Sequence, residues 1–325
     1  MRFRPWNVVF LVVATAACGR IGFEGEEQDG AAGDASLDGG RRDGSRDGTV
    51  PDGSMDASAG DHCEGEWGAP TVIDSLAVTE GRDDDPSMTG DLLELYFASQ
   101  RPGGVASTNL WRSTRASADS PWGAPTIVEN IGVVNTPHIS SDGLSLWISK
   151  NVGGGDEDIF VATRKTRDDP WGVPVAVDEL NTVGYDDKSA VPYADSLRIV
   201  FTSDRPAGEG ELDIYRARRT NLTSPWTDIE RLATVSTMAF ESTPSPIQSG
   251  LRIYFHSNRT GAMKLDLFVA SFSQETLEYD EALRIDRLSS AEDDEDIAVS
   301  DDECYAVFSS NRSGVSVLYE AHRAR

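Results

Sequence analysis

Four carboxylates recur at one interval in this 325-residue chain. Asp83, Asp187, Glu241 and Asp294 each stand fourteen residues before an aromatic position, at Phe97, Phe201, Phe255 and Phe308. The fifth aligned position, fourteen residues before Ile148, is Val134. Acids gathered round a ring at such positions would raise one another's pKa or call for a cation or a cationic ligand. Calcium is the candidate cofactor, a hard ion that takes oxygen ligands. Asp84, Asp85, Asp186, Glu292, Asp293, Glu295 and Asp296 add charge beside them. The same acids could instead cap turns or bond backbone amides inside their own units.

Other chemistry is weaker. Two opposed carboxyls could hydrolyse a glycoside, but a catalytic acid and base need unlike environments, and these acids recur as periodic features. His138, His256 and His322 fall in or beside repeated segments with no nucleophile elbow nearby, so no Ser-His-Asp assignment follows. Arg101, Arg205, Arg259 and Arg312 each follow a serine by two residues. Their planar donor forks suit ties from turns to aspartates or carbonyls. Trp67, Trp122, Trp171 and Trp226 read as packing between sheets rather than as sugar platforms. The run Gly153-Gly154-Gly155 precedes no helix pattern, so it reads as a hairpin and not a phosphate cradle.

The elements that must carry these residues are strands. Leu95–Ser99, Leu146–Ser149, Ile199–Ser203, Ile253–Ser257 and Ala306–Ser310 are short aromatic and β-branched runs whose central positions lie 51, 53, 54 and 53 residues apart. A second strand follows each, as at Leu110-Trp111-Arg112 and Ile214-Tyr215-Arg216. A third begins after each Trp-Gly-x-Pro or its variant, and a fourth lies near Pro86, Pro137, Ala190, Pro244 and Ile297. Four strands per unit of about 52 residues, five times over, predict an all-β, five-bladed β-propeller, which protects the edges that open sheets expose.

The phase of the repeat predicts how the ring closes. The tryptophan strand missing after Tyr319 has an extra copy at Trp67–Ile73, so the N-terminal strand should complete the last blade. Cys63 precedes that strand and Cys304 lies in the same blade, which places them to form a disulfide across the closure.

Pro137-His138-Ile139-Ser140-Ser141-Asp142-Gly143, the Ser-x-Arg turns at Ser99, Ser203, Ser257 and Ser310, and Asp158-Ile159-Phe160, Asp213-Ile214-Tyr215 and Asp266-Leu267-Phe268 together resemble the WD40-like or TolB-type β-propeller repeat. The likeness covers residues 67–325 and does not extend to a TolB-like N-terminal α/β domain. It implies an interaction scaffold of the periplasm or cell surface.

The start has an address of its own. Arg2 and Arg4, an apolar run from Val8 to Ala17, and Thr15-Ala16-Ala17-Cys18 resemble the leader and lipobox of bacterial lipoproteins. The expectation is a signal peptide over 1–18 with Cys18 lipidated, a disordered acidic linker over 19–62, and the propeller over 63–325. Asp-Gly steps at 29, 38, 43, 47 and 52, with few apolar residues between, give that linker nothing to fold around. A net charge of −26 excludes nucleic acid and anionic lipid surfaces as partners, leaving the lipid anchor as the only membrane contact. The resulting expectation is an exported monomer of the cell envelope, at the outer membrane, that binds a protein, peptide or glycan. A furanosidase-type glycoside hydrolase and a purely structural envelope protein are the alternatives.

Overall fold

A computed structural model describes residues 62–261 and 264–324; the expected leader, Cys18 and the expected linker up to residue 61 lie outside the described residues. The described chain is all strand, with no helix, arranged as five antiparallel sheets. Blade 1 runs Asp83–Met88, Glu94–Ser99, Asn109–Thr114 and Thr126–Ile127. Blade 2 runs Asn135–Ile139, Ser145–Gly153, Asp156–Thr163 and Val175–Ala176. Blade 3 runs Asp187–Pro192, Arg198–Ser203, Asp213–Arg218 and Thr227–Arg231. The first strands of successive blades pack against one another in a closed cycle, so they form the wall of a central channel.

Blade 4 departs from the pattern. After Glu241–Pro246 and Arg252–Ser257, its long third strand, Asp266–Ser273, turns back through Glu278–Tyr279 and then pairs with the outer strand Leu283–Arg284. Blade 5 takes Asp294–Val299, Tyr305–Ser310 and Val317–His322 from the C-terminal end. Its outer strand is Thr71–Val72, with Val72 opposite Tyr319, where Ile127 stands opposite Trp111 in blade 1. The first and last strands of the described residues thus share a blade. A Cys63–Cys304 disulfide, with Cα atoms 5.0 Å apart, ties them together.

The second strands are apolar on both faces because each blade is covered by a neighbour on either side. Leu95 and Phe97 pack against Tyr305 and Val307 of blade 5, and Tyr96 against Leu146 and Ile148 of blade 2. Five such layers, one per seam, make up the core. The repeated tryptophans are buried in these layers. An arginine seven residues upstream lies over each ring, Arg115 on Trp122 at 4.1 Å, Arg164 on Trp171 at 4.4 Å and Arg219 on Trp226 at 4.4 Å. Arg323 on Trp67 at 4.3 Å rebuilds the same pair across the closure of the ring.

Candidate functional site

The sequence-counted acids lie at the entry to each channel strand, where hairpin pairing sets them opposite the serine of the Ser-x-Arg turn: Asp83 opposite Ser99, Asp187 opposite Ser203, Glu241 opposite Ser257 and Asp294 opposite Ser310. All four are fully buried. The arginine two residues on reaches back to the acid: Arg101 Nη2 donates to Asp83 at 2.8 Å, Arg205 to Asp187 at 2.6 Å, Arg259 pairs with Glu241 at 3.1 Å, and Arg312 donates to Asp294. The same guanidinium donates from Nε to the serine hydroxyl and from Nη2 to a backbone carbonyl, that of Leu76, Leu180, Val235 or Leu288. It also lies over the aromatic residue of its strand, as Arg101 does over Phe97 at 4.8 Å. The four carboxylates are therefore engaged inside their own blades. Thr182, Thr237 and Ser290 donate backbone amides to three of them as well.

Blade 2 solves the same problem without an acid. Lys150 takes the place of the clamp serine, donates from Nζ to the Ile131 carbonyl at 3.1 Å and lies 5.7 Å from the Phe160 ring. Val134, buried, needs no counterion. Acid and arginine are absent together.

The acids that face the channel are one and two residues further along. Each channel strand carries a β-bulge, and each bulge holds a non-glycine residue in the left-handed region: Asp85 (φ 51°), Thr136 (44°), Ser189 (52°), Thr243 (49°) and Asp296 (55°). These five ring the channel. Their side chains hold the backbone of the next blade: the Asp85 amide donates to Asp296 Oδ2 at 3.2 Å, Thr136 to Asp85 Oδ2 at 3.3 Å and Ser189 to Thr136 Oγ1 at 3.1 Å. From blade 4 the link passes through a histidine. The Asp296 amide donates to His256 Nδ1 at 3.1 Å, and Thr243 Oγ1 lies 2.9 Å from the same nitrogen. The same nitrogen lies 3.4 Å from Asp296 Oδ1. The circle is broken at one place. Ser189 Oγ is buried and has no hydrogen-bond partner.

The ring is the waist between two cavities, since Asp85, Thr136, Thr243 and Asp296 line both. The tighter one, about 70 Å³, is walled by Pro86, Pro137, Pro244 and His138. Burial pushes the His138 imidazole down to about 4, so it is neutral and its Nδ1 is bonded to Ser87 Oγ at 3.2 Å. The wider one, about 290 Å³, is charged. On one side lie Asp84, Glu295 and Arg82, which bonds Asp84; on the other, Lys188 sits 3.4 Å from both Glu157 and Asp186.

The four acids of blades 1 and 5 titrate apart. Burial, with Asp296 and Asp84 alongside, pushes Asp85 well above the usual carboxylate range. Burial also raises Asp84 to about 6 and, with the Asp296 charge, Glu295 to about 7. Burial works against Asp296 too, but His256, the Ser309 hydroxyl and the Asp85 amide outweigh it and hold that carboxyl low. Among the described residues no three of His, Cys, Asp and Glu come together as a metal-holding group. Sequence counting reached these acids only as neighbours of the clamp. The signal for the waist is a proline directly after the bulge residue, at Pro86, Pro137 and Pro244.

No protein-family model and no curated protein matches the chain. Among solved structures it is similar to an α-L-arabinofuranosidase from Lactobacillus brevis, at TM-score 0.53 and 12% identity, over 78% of this chain and 94% of that one. It is also similar to TolB from Acinetobacter baumannii, at TM-score 0.48 and 14% identity, over 75% of this chain and 55% of that one. The TolB from Agrobacterium tumefaciens aligns at TM-score 0.47 and 19% identity, over 74% and 76%. The chain thus spans little more than half the length of the Acinetobacter protein. At these identities the likeness is one of fold.

Proposed function

We propose that this five-bladed propeller is a binding module that draws a cationic group of a protein or peptide, a lysine or arginine side chain or a free amine, into the wider mouth of its channel. The observation that carries this reading is a surplus of buried carboxyl over cation: Asp84, Asp85, Glu295 and Asp296 share one wall with a single arginine, Arg82. Raised carboxyl pKa values there mean that ionisation is opposed until a positive charge arrives.

Calorimetric titration with tetralysine and tetraglutamate tests it. Tetralysine should bind, more tightly at pH 8 than at pH 5 and less tightly in high salt, and Glu295→Gln with Asp85→Asn should abolish it. Equal response to both peptides, or to neither, would sink the reading.

One observation favours hydrolysis as a second reading: Asp85 and Asp296 are pushed in opposite directions, as an acid and base pair would be. They touch along one wall rather than oppose each other across a cleft. Release of reducing sugar from arabinan, lost in Asp296→Asn, would favour the hydrolase.

The envelope setting belongs to the same proposal. The Cys63–Cys304 disulfide suits an oxidising compartment, and lipidation at Cys18 would anchor the module there. Labelling with a fatty acid should mark the protein and vanish in Cys18→Ala.

A further inference from the structure

Three departures from the repeat converge on one seam. Where blades 1 to 3 pair an arginine with a tryptophan seven residues on, and the closure pairs Arg323 with Trp67, blade 4 has Phe272 and Tyr279. The position after the blade-3 channel strand holds Tyr193, where blades 1, 2 and 5 have the turn-capping hydroxyls of Thr89, Ser140 and Ser300. Blade 4 also carries the extra hairpin that pairs Phe272 with Tyr279. Periodic residues maintain a propeller; the singular ones need another explanation.

Together they open a cavity of about 600 Å³ between blades 3 and 4, within the size range of small-ligand sites. Its floor is fixed. Tyr193 Oη lies 3.0 Å from Tyr279 Oη, which donates to the Gly250 carbonyl at 3.0 Å. Gly250 has φ +75°, and a Cβ there would meet the Tyr193 ring at 3.0 Å, so the close approach requires glycine. The Phe272 ring stands edge-on to Tyr279 at 5.4 Å, which sets its orientation.

We propose that this seam binds a neutral saccharide, at a site separate from the channel. The wall is charge-balanced: Arg216 is bonded to Glu230 at 2.6 Å and to Glu278 at 3.0 Å, and Arg218 to Asp228 at 2.6 Å. A guanidinium already paired with carboxylates attracts no free anion strongly. It does present donors and acceptors side by side, which is what vicinal hydroxyls need. Phe272, half-buried, with Leu251 and Ile229, offers apolar surface for the C–H face of a sugar ring. Little has to be ordered on binding, because both tyrosines are already bonded in place.

Saturation-transfer NMR and tyrosine fluorescence with maltotriose, cellotriose and chitotriose test the site. At least one should bind saturably, and Phe272→Ala should weaken it by about tenfold or more. The double substitution Phe272→Arg with Tyr279→Trp restores the repeat, so it should fold, fill the cavity and abolish binding. Citrate serves as the anion probe. No saturation by any of the three sugars, sugar binding unchanged in both variants, or binding of citrate alone would each overturn the proposal. Glu295→Gln, in the channel, should leave sugar binding as it is.

Discussion

Asp296 Oδ2 accepts the backbone N–H of Asp85 at 3.2 Å, so a side chain of the last blade grips the main chain of the first across the seam where the ring closes. The contact also sets the electrostatics of the channel. A carboxylate stabilised as an anion at Asp296 raises its neighbours Asp85 and Glu295, so charge on one wall is concentrated on one member of the cluster.

Stability should therefore fall as the pH rises through that cluster. Glu295 and Asp84, raised to about 7 and about 6, keep protons in the folded chain that the unfolded chain releases near 4. Between those values the native state binds more protons, so each upward step in pH costs stability. Asp296 acts the other way, its contribution disappearing only at lower pH. Glu295→Gln removes one raised group and should stabilise the protein by about 1–3 kcal/mol at pH 8 and by nothing at pH 4. Urea unfolding at both pH values checks this; a gain confined to pH 4 would reverse the sign.

The clamps make a second, comparative prediction. Arg205→Met strands the buried Asp187 carboxylate without its cation and should cost about 3–5 kcal/mol. Lys150→Met in blade 2 leaves no acid behind, since Val134 stands there, and should cost about 1 kcal/mol for a lost bond to a carbonyl. Denaturant midpoints that shift equally in the two variants would contradict the account of the acid as the reason for the arginine.

How far this was legible in the sequence follows from what each feature depends on. Blade number, the closing strand and the cysteine pair depend on period and phase, and both can be counted along the chain. The interval from acid to aromatic was legible too, and so was the arginine's role as a tie to aspartates or carbonyls, but which acid each arginine meets was not. Arg101 meets Asp83 only because hairpin register brings Ser99 opposite Asp83. The waist was least legible: its bulge residues are Asp, Thr and Ser, with no glycine to mark a positive φ. For the blade-4 pocket the sequence offers only Tyr279 where the other units have tryptophan, because a missing side chain signals a cavity only once its neighbours are placed.

The disulfide closes a loop 241 residues apart in sequence, so its loss should be costly. On chain-entropy grounds Cys63→Ala with Cys304→Ala should lower stability by about 5 kcal/mol. The effect should be matched by reducing the wild-type protein before unfolding. Proteolysis near Trp67 should then precede global unfolding, because the closing strand Thr71–Val72 is only two residues long. An unchanged midpoint on reduction would mean that the strand and the Arg323–Trp67 contact hold the ring closed alone.

Ser189 is the point at which the waist can be improved. Its backbone sits at φ 52° and its buried hydroxyl has no partner, while its amide is already held by Thr136 and Ser149. Ser189→Gly removes a buried unpaired oxygen and a strained conformation, against the added freedom of the unfolded chain. The balance should favour the variant by about 1 kcal/mol. Thr136→Gly relieves the same kind of strain but deletes the hydroxyl that accepts the Ser189 amide, so it should destabilise. Thermal melts of the two variants, read side by side, separate backbone strain from hydrogen bonding as the cause. If both variants gain stability, the inter-blade bond from Thr136 contributes little; if both lose it, the Ser189 hydroxyl has a partner in solution, which the channel would have to supply.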